Sequence, residues 1–462
     1  PAPTIAIACC PSSSTTPWHL ILLARGNLAD MSSAQIPVTV ATASGRITGV
    51  RRDGLHYFHS VRYSTIPSPF SPTKPLESTC DQDAREPHPE DIALSIAAPA
   101  EAAECPVVVY IHGGRYEHGT HEDPRLTGTT NARHGVIQVQ VGYRVGLAGF
   151  ARFDGDEADR YRGIDDCLLA LEWLQDNIEA FGGDKTNITL VGQSAGAAMS
   201  LWLARRDHFR GGFRRVLALS PAFPRDRFEH RVADLRKCLG VPITRHALEK
   251  LDPESLAKGY AKFRKKYRFD VALGPAPLQA EELADIPIVV TSTRDEFYDM
   301  PAAQRIDKMA LAGFITSYLS PKFGISHERF KQWRQLAHYV DPQRPMGRLI
   351  GDAAVRRWAA QVAAHSPGPT WMMEFTRTDP PAVHCAELGP LFGGSRNEAG
   401  EEIPASELNE WLRHFATTGE PGFSSYGDDH NVLEFDLDTG ERRLAYATLD
   451  YVAAAFYDED DL

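Results

Sequence analysis

Apolar and polar positions follow three rhythms along this 462-residue chain. Residues 37–50, PVTVATASGRITGV, alternate about Ser44-Gly45, the period-two pattern of a β-hairpin turning at those residues. Further on, apolar residues run together instead: CPVVVYIHGG at 105–114, VIQVQVGYR at 136–144, NITLV at 187–191, and similar runs at 214–219, 286–292 and 370–376. Short continuous runs bounded by glycine or loop residues predict strands covered on both faces, as in a parallel sheet. The third rhythm is helical. Over 165–181, Leu168, Leu171, Trp173, Leu174 and Ile178 fall on one broad face before Gly182-Gly183 ends the helix, and 195–205 predicts a helix of small residues.

Strands alternating with helices predict an α/β fold, with a mostly parallel central sheet flanked by helices. The proline-rich stretch 67–75 reads as loop. Between 221 and 285 the pattern becomes charged and helical, with several prolines, which predicts a helical excursion or reduced lid on a single domain spanning 33–462. Residues 1–32 have no basic start, and their apolar piece is too short for an export signal, so they are expected to form a disordered extension.

Charge and cysteine usage narrow the partners. Lys+Arg is 49 against 61 Asp+Glu, a net charge of -12, which argues against nucleic acid or an anionic membrane surface. No apolar run approaches the roughly 20 residues of a membrane span. The seven cysteines are scattered, with neither zinc-ligand spacing nor a dense disulfide framework. Free thiols in a reducing, cytoplasmic compartment are the expectation.

Candidate chemistry begins at Gly192-Gln193-Ser194-Ala195-Gly196, a Gly-x-Ser-x-Gly between a predicted strand and a predicted helix. The glycines let strand and helix backbones approach around a tight bend, and the serine is held in a strained turn with its hydroxyl clear of the sheet. The N–H of Ala195 then lies at a helix N-terminus, where it can stabilise an oxyanion. A plain strand-to-helix turn would use the same glycines for steric reasons. A serine nucleophile needs a base and an acid that orients it, following in the chain order Ser, Asp/Glu, His on loops after strands. Both occur: IPIVVTSTRDEF runs into Asp295-Glu296, and WMMEFTRTDPPAVHCAEL places His384 on a loop after a strand. Either acid fits the spacing. His112-Gly113-Gly114-Arg115, after the run at 105–114, suits the second half of an oxyanion hole.

These residues together resemble the type B carboxylesterase family of α/β-hydrolases. FHSVRYSTIP and SPFSP resemble its early strand and proline turn, and His112-Gly113-Gly114 its His-Gly-Gly loop. Gly142-Tyr143-Arg144 with LAGF at 147–150, and ALEWLQDNIEAFGGDKTNITLVGQSAGA, resemble its central signatures. His384-Cys385-Ala386-Glu387-Leu388, Trp411, Phe415-Ala416 and Gly419-Glu420-Pro421 resemble its C-terminal ones. The resemblance implies an α/β-hydrolase fold and a carboxylic ester hydrolase acting on small-molecule esters without metal or cofactor. It implies Ser194 as nucleophile, His384 as general base and Glu296 as the acid, with Asp295 as fallback. Gly114, Arg115 and Ala195 would supply oxyanion N–H groups, Ser220 would support the triad from behind, and Gly113, Tyr116 and His118 are candidates to line the cleft.

Four departures from the family pattern stand out. Arg115 occupies a position that is normally Gly or Ala, so its guanidinium must either reach the cleft, favouring esters with a carboxylate, or pair with an acid such as Glu117. Gln193 replaces the usual Glu before the serine. Cys80 matches one half of a family disulfide whose other half is Ile92 here, so that bridge is not expected. The stretches from Ser220 to Glu296 and from Glu296 to His384 are short, which predicts a more open cleft. Two competing readings remain: a catalytically inactive cholinesterase-like binding protein, and a lipase or amidase on the same fold.

Overall fold

The computed structural model describes residues 35–76, 79–393 and 406–457. The expected extension at 1–32, with Cys9 and Cys10, lies outside the described residues. One large sheet organises the chain. Its first edge is an antiparallel meander of Ile36–Thr42, Gly45–Arg52 and Leu55–Val61, continued by Leu94–Pro99. Leu94–Pro99 lies antiparallel to Ile137–Val141, and from there the sheet is parallel through Cys105–Ile111, Gly183–Gln193, Arg215–Leu219, Ile288–Thr293, Thr370–Thr376 and Asn431–Asp436. Arg442–Tyr446 closes the far edge antiparallel.

The continuous apolar runs are strands buried on both faces. Ile137–Val141, Arg215–Leu219 and Ile288–Thr293 are buried at every position. Alternate side chains of Cys105–Ile111 serve different cores, as the strand period requires. Val107, Val109 and Ile111 join the helices Arg162–Asn177 and Ala195–Leu203 in one cluster, while Val108 and Tyr110 meet Leu408, Trp411 and Phe415 of the helix Glu407–Thr418 in the other.

The pattern reading missed Leu94–Pro99, Asn431–Asp436 and Arg442–Tyr446. LSIAAP is rich in residues that rarely favour strands, and it is held by its two neighbours rather than by propensity. The strand before Ser194 starts at Gly183, earlier than the apolar run does, because Gly183 pairs with Cys105 across an irregularity that admits the polar residues between.

Between Arg215–Leu219 and Ile288–Thr293 the chain leaves the sheet and forms the helices Phe228–Leu239, Arg245–Glu249 and Pro253–Lys266. Asp252 caps the last of these, accepting from Ser255 N–H with Pro253 in the first turn. A buried Arg231–Asp270 ion pair at 2.6 Å anchors the returning segment. A second excursion, with helices from Pro301–Asp307 to Arg357–His365, precedes Thr370–Thr376. Among the described residues no helix is long and apolar enough to cross a membrane. Ser194, Glu296 and His384 all follow the carboxyl ends of parallel strands, where open α/β sheets bring loops together.

Candidate active site

Ser194 directly follows its strand at φ 57° and ψ −116°, a conformation rare for a residue with a side chain. Backbone bonds hold it there. Its N–H donates to Leu219 O at 2.8 Å, and its carbonyl accepts from Ala198 N–H at 3.1 Å and Ala222 N–H at 3.2 Å. Neither flanking glycine has room for a side chain. A Cβ on Gly192 would lie 2.2 Å from Gly196 O, and one on Gly196 would lie 2.1 Å from Ile111 O. The motif is therefore sterically required at this crossing of strand and helix.

Three residues beyond its strand, Glu296 is buried beneath His384. Its Oε1 accepts from Ser220 Oγ at 2.7 Å and from Thr293 N–H at 2.8 Å, and its Oε2 lies 2.5 Å from His384 Nδ1. Burial alone would raise this carboxyl's pKa. The charge and hydrogen bond of His384, with the bonds from Ser220 and Thr293, outweigh that and hold it below its ordinary value. The His384 N–H also donates to Glu296 O at 2.7 Å, so main chain and side chain fix the loop together. Nδ1–H donating to the carboxylate leaves Nε2 as an acceptor, and the Gln193 amide nitrogen stands 3.3 Å from it. Asp295 points elsewhere, 3.2 Å from the buried Arg348 guanidinium.

Ser194 and His384 line a single cavity of about 320 Å³ together with Gln193, Gly113, Gly114 and Arg115. The N–H groups of Gly114, Arg115 and Ala195 donate to no other described residue. His118 lines the cavity, whereas Tyr116 does not. Left-handed backbone at both Arg115 (φ 59°) and Tyr116 (φ 63°) turns the phenol into the core, where it packs on Phe150 and its hydroxyl donates to Ala222 O at 2.8 Å. The anticipated Arg115–Glu117 pair is also absent. Glu117 accepts from Tyr260 OH at 2.7 Å and pairs with Arg264 at 2.9 Å, both from the first excursion. Other walls come from Phe269, Val271, Phe297, Asp299 and Met300, which no motif marks. Phe297 could have been suspected only from its place directly after Glu296; its ring sits 5.0 Å from that of His384.

The glycine loop rests on a buried layer. His112 stacks on Tyr143 at 4.2 Å, and its Nδ1–H donates to Gly113 O at 2.8 Å. Tyr143 OH donates to His112 O at 2.7 Å, and next to it the buried Arg144 grips Asp166 at 2.7 Å. Burial lowers the His112 pKa from 6.5 to about 4, opposed by its bond to Gly113. Between those values the unfolded chain binds the proton and the folded one does not. His112 thus contributes full stability above pH 6.5 and loses it as pH falls toward 4, by about 3 kcal/mol in all. Urea unfolding at pH 7 and pH 5 is expected to show a smaller acid loss in His112→Gln than in the wild type. An identical loss would place the acid lability elsewhere.

An open sheet with a strained serine turn at the end of one parallel strand, and a carboxylate–imidazole pair beyond two others, defines an α/β-hydrolase. A sequence profile of the Carboxylesterase family matches residues 74–442, and the chain belongs to that family of carboxylic ester hydrolases. It is 28% identical over 456 residues to the para-nitrobenzyl esterase of Bacillus subtilis, covering 85% of this chain and 90% of that one. It is 27% identical over 451 residues to the phenmedipham hydrolase of Pseudarthrobacter oxydans, covering 82% and 90%. A carboxylesterase structure from Geobacillus stearothermophilus superposes with a TM-score of 0.75 at 22% identity, covering 91% of this chain and 100% of the other.

Proposed function

We propose that the protein hydrolyses carboxylic esters through a Ser194–His384–Glu296 triad and an acyl-enzyme intermediate. The observation that carries this is the 2.5 Å contact of His384 Nδ1 with the buried Glu296, on the wall of the cavity that also holds Ser194. Ser194 Oγ attacks the ester carbonyl while His384 Nε2 takes its proton. The N–H groups of Gly114, Arg115 and Ala195 receive the developing oxyanion, each such donor being worth about 3 kcal/mol. Glu296 stabilises the imidazolium and keeps Nδ1 protonated. His384 then protonates the leaving alcohol, and a water activated by the same imidazole releases the acid.

Rapid mixing with a 4-nitrophenyl ester is expected to give a burst of nitrophenol stoichiometric with enzyme, followed by slower turnover. A serine-directed phosphonate should label Ser194 and abolish both phases. Labelling of another residue, or turnover that survives labelling, would reject the assignment.

A further inference from the structure

The cavity carries charge that ester hydrolysis itself does not use. Arg115 extends from the oxyanion loop to the first excursion, where Nη2 donates to Asp270 O at 2.7 Å. Its Nε is buried without a hydrogen-bond partner among the described residues. The nearby acids are committed elsewhere: Glu117 to Tyr260 and Arg264, and the Asp270 carboxylate to Arg231 and to the N–H groups of Arg225 and Val271. Arg268 lines the same cavity, is exposed, and pairs with no acid among the described residues. Arg125, also on the wall, is neutralised by Asp123 at 2.6 Å. Arg115 and Arg268 thus line one cavity without an acidic partner among the described residues, in a chain of net charge -12.

We propose that Arg115 and Arg268 form an anion subsite, so that the preferred substrates are esters carrying a carboxylate a few bonds from the scissile carbonyl. This rests on the esterase reading above. Both arginines line the cavity that holds Ser194, and a carboxylate is the group whose geometry matches the guanidinium fork. Arg115 is the residue after Gly114, so its side chain leaves the backbone at the point proposed to bind the carbonyl oxygen. A carboxylate held there is tied to the reacting centre by a short rigid path.

The test compares 4-nitrophenyl hemiglutarate with its neutral methyl ester in the wild type, Arg268→Glu and Arg115→Gln; the last keeps the backbone N–H. The wild-type kcat/KM ratio, anionic over neutral, is expected to exceed one, to fall with added salt, and to drop about tenfold in each variant. Binding of monomethyl glutarate, followed by calorimetry on Ser194→Ala protein, needs no turnover and is expected to weaken about tenfold with Arg268→Glu. Neutral-ester turnover with the same ratio in all three proteins would overturn the subsite and leave the esterase reading standing. Arginine-dependent binding in a wild-type protein that hydrolyses neither ester would do the reverse.

Discussion

Replacing Ser194 by alanine is expected to lower kcat on a 4-nitrophenyl ester by about 10⁵–10⁶-fold while changing the urea unfolding midpoint little. The size follows from the role proposed for the hydroxyl: without it no acyl-enzyme forms, and only the oxyanion donors and binding remain. The small effect on stability follows from what holds the turn. Its strained φ of 57° is imposed by main-chain bonds to Leu219, Ala198 and Ala222 and by the contact between Gly192 and Gly196, none of which uses the side chain. Activity near that of the wild type would show that the catalytic group lies elsewhere. A large drop in the midpoint would show that the hydroxyl is structural.

Glu296→Gln is the second large effect, about 10⁴-fold in kcat with KM little changed. The amide matches the carboxylate in shape, so the loss must come from hydrogen-bond polarity. Oxygen Oε1 accepts from Thr293 N–H, a main-chain donor that cannot reverse, and Oε2 accepts from His384 Nδ1–H. A glutamine has one oxygen for two such donors. If the oxygen stays with Thr293, the NH₂ faces Nδ1, which must then be an acceptor. Nε2 becomes protonated and has no lone pair for the Ser194 proton. If the oxygen turns to His384 instead, two donors collide at Thr293 in a buried site. Steady-state kinetics of the variant, with calorimetric unfolding beside them, separate the outcomes: the first costs activity and the second costs stability. A variant that loses neither would remove Glu296 from the mechanism.

How much of this was legible beforehand depends on the range of the signal. The apolar runs at 105–114 and 286–292 identified buried parallel strands, because an unbroken run reports that both faces are covered. Gly-Gln-Ser-Ala-Gly identified the turn, because the clash that demands the glycines arises within five residues. The family resemblance favoured Glu296 over Asp295, but the residues by themselves left either acid open. In space, Glu296 meets His384, while Asp295 meets Arg348.

The sequence alone determined the α/β alternation, the serine turn and the glycine loop before it. Each is written in local period or local sterics. Tertiary structure decided which acid the imidazole takes, that Tyr116 turns inward, and that Glu117 pairs with the excursion while Arg115 reaches Asp270. His384 and Glu296 are 88 residues apart, and Arg115 and Asp270 are 155 apart. Contacts of that span are chosen by the packing of whole elements on the sheet, and no short stretch of chain carries the energy that selects them.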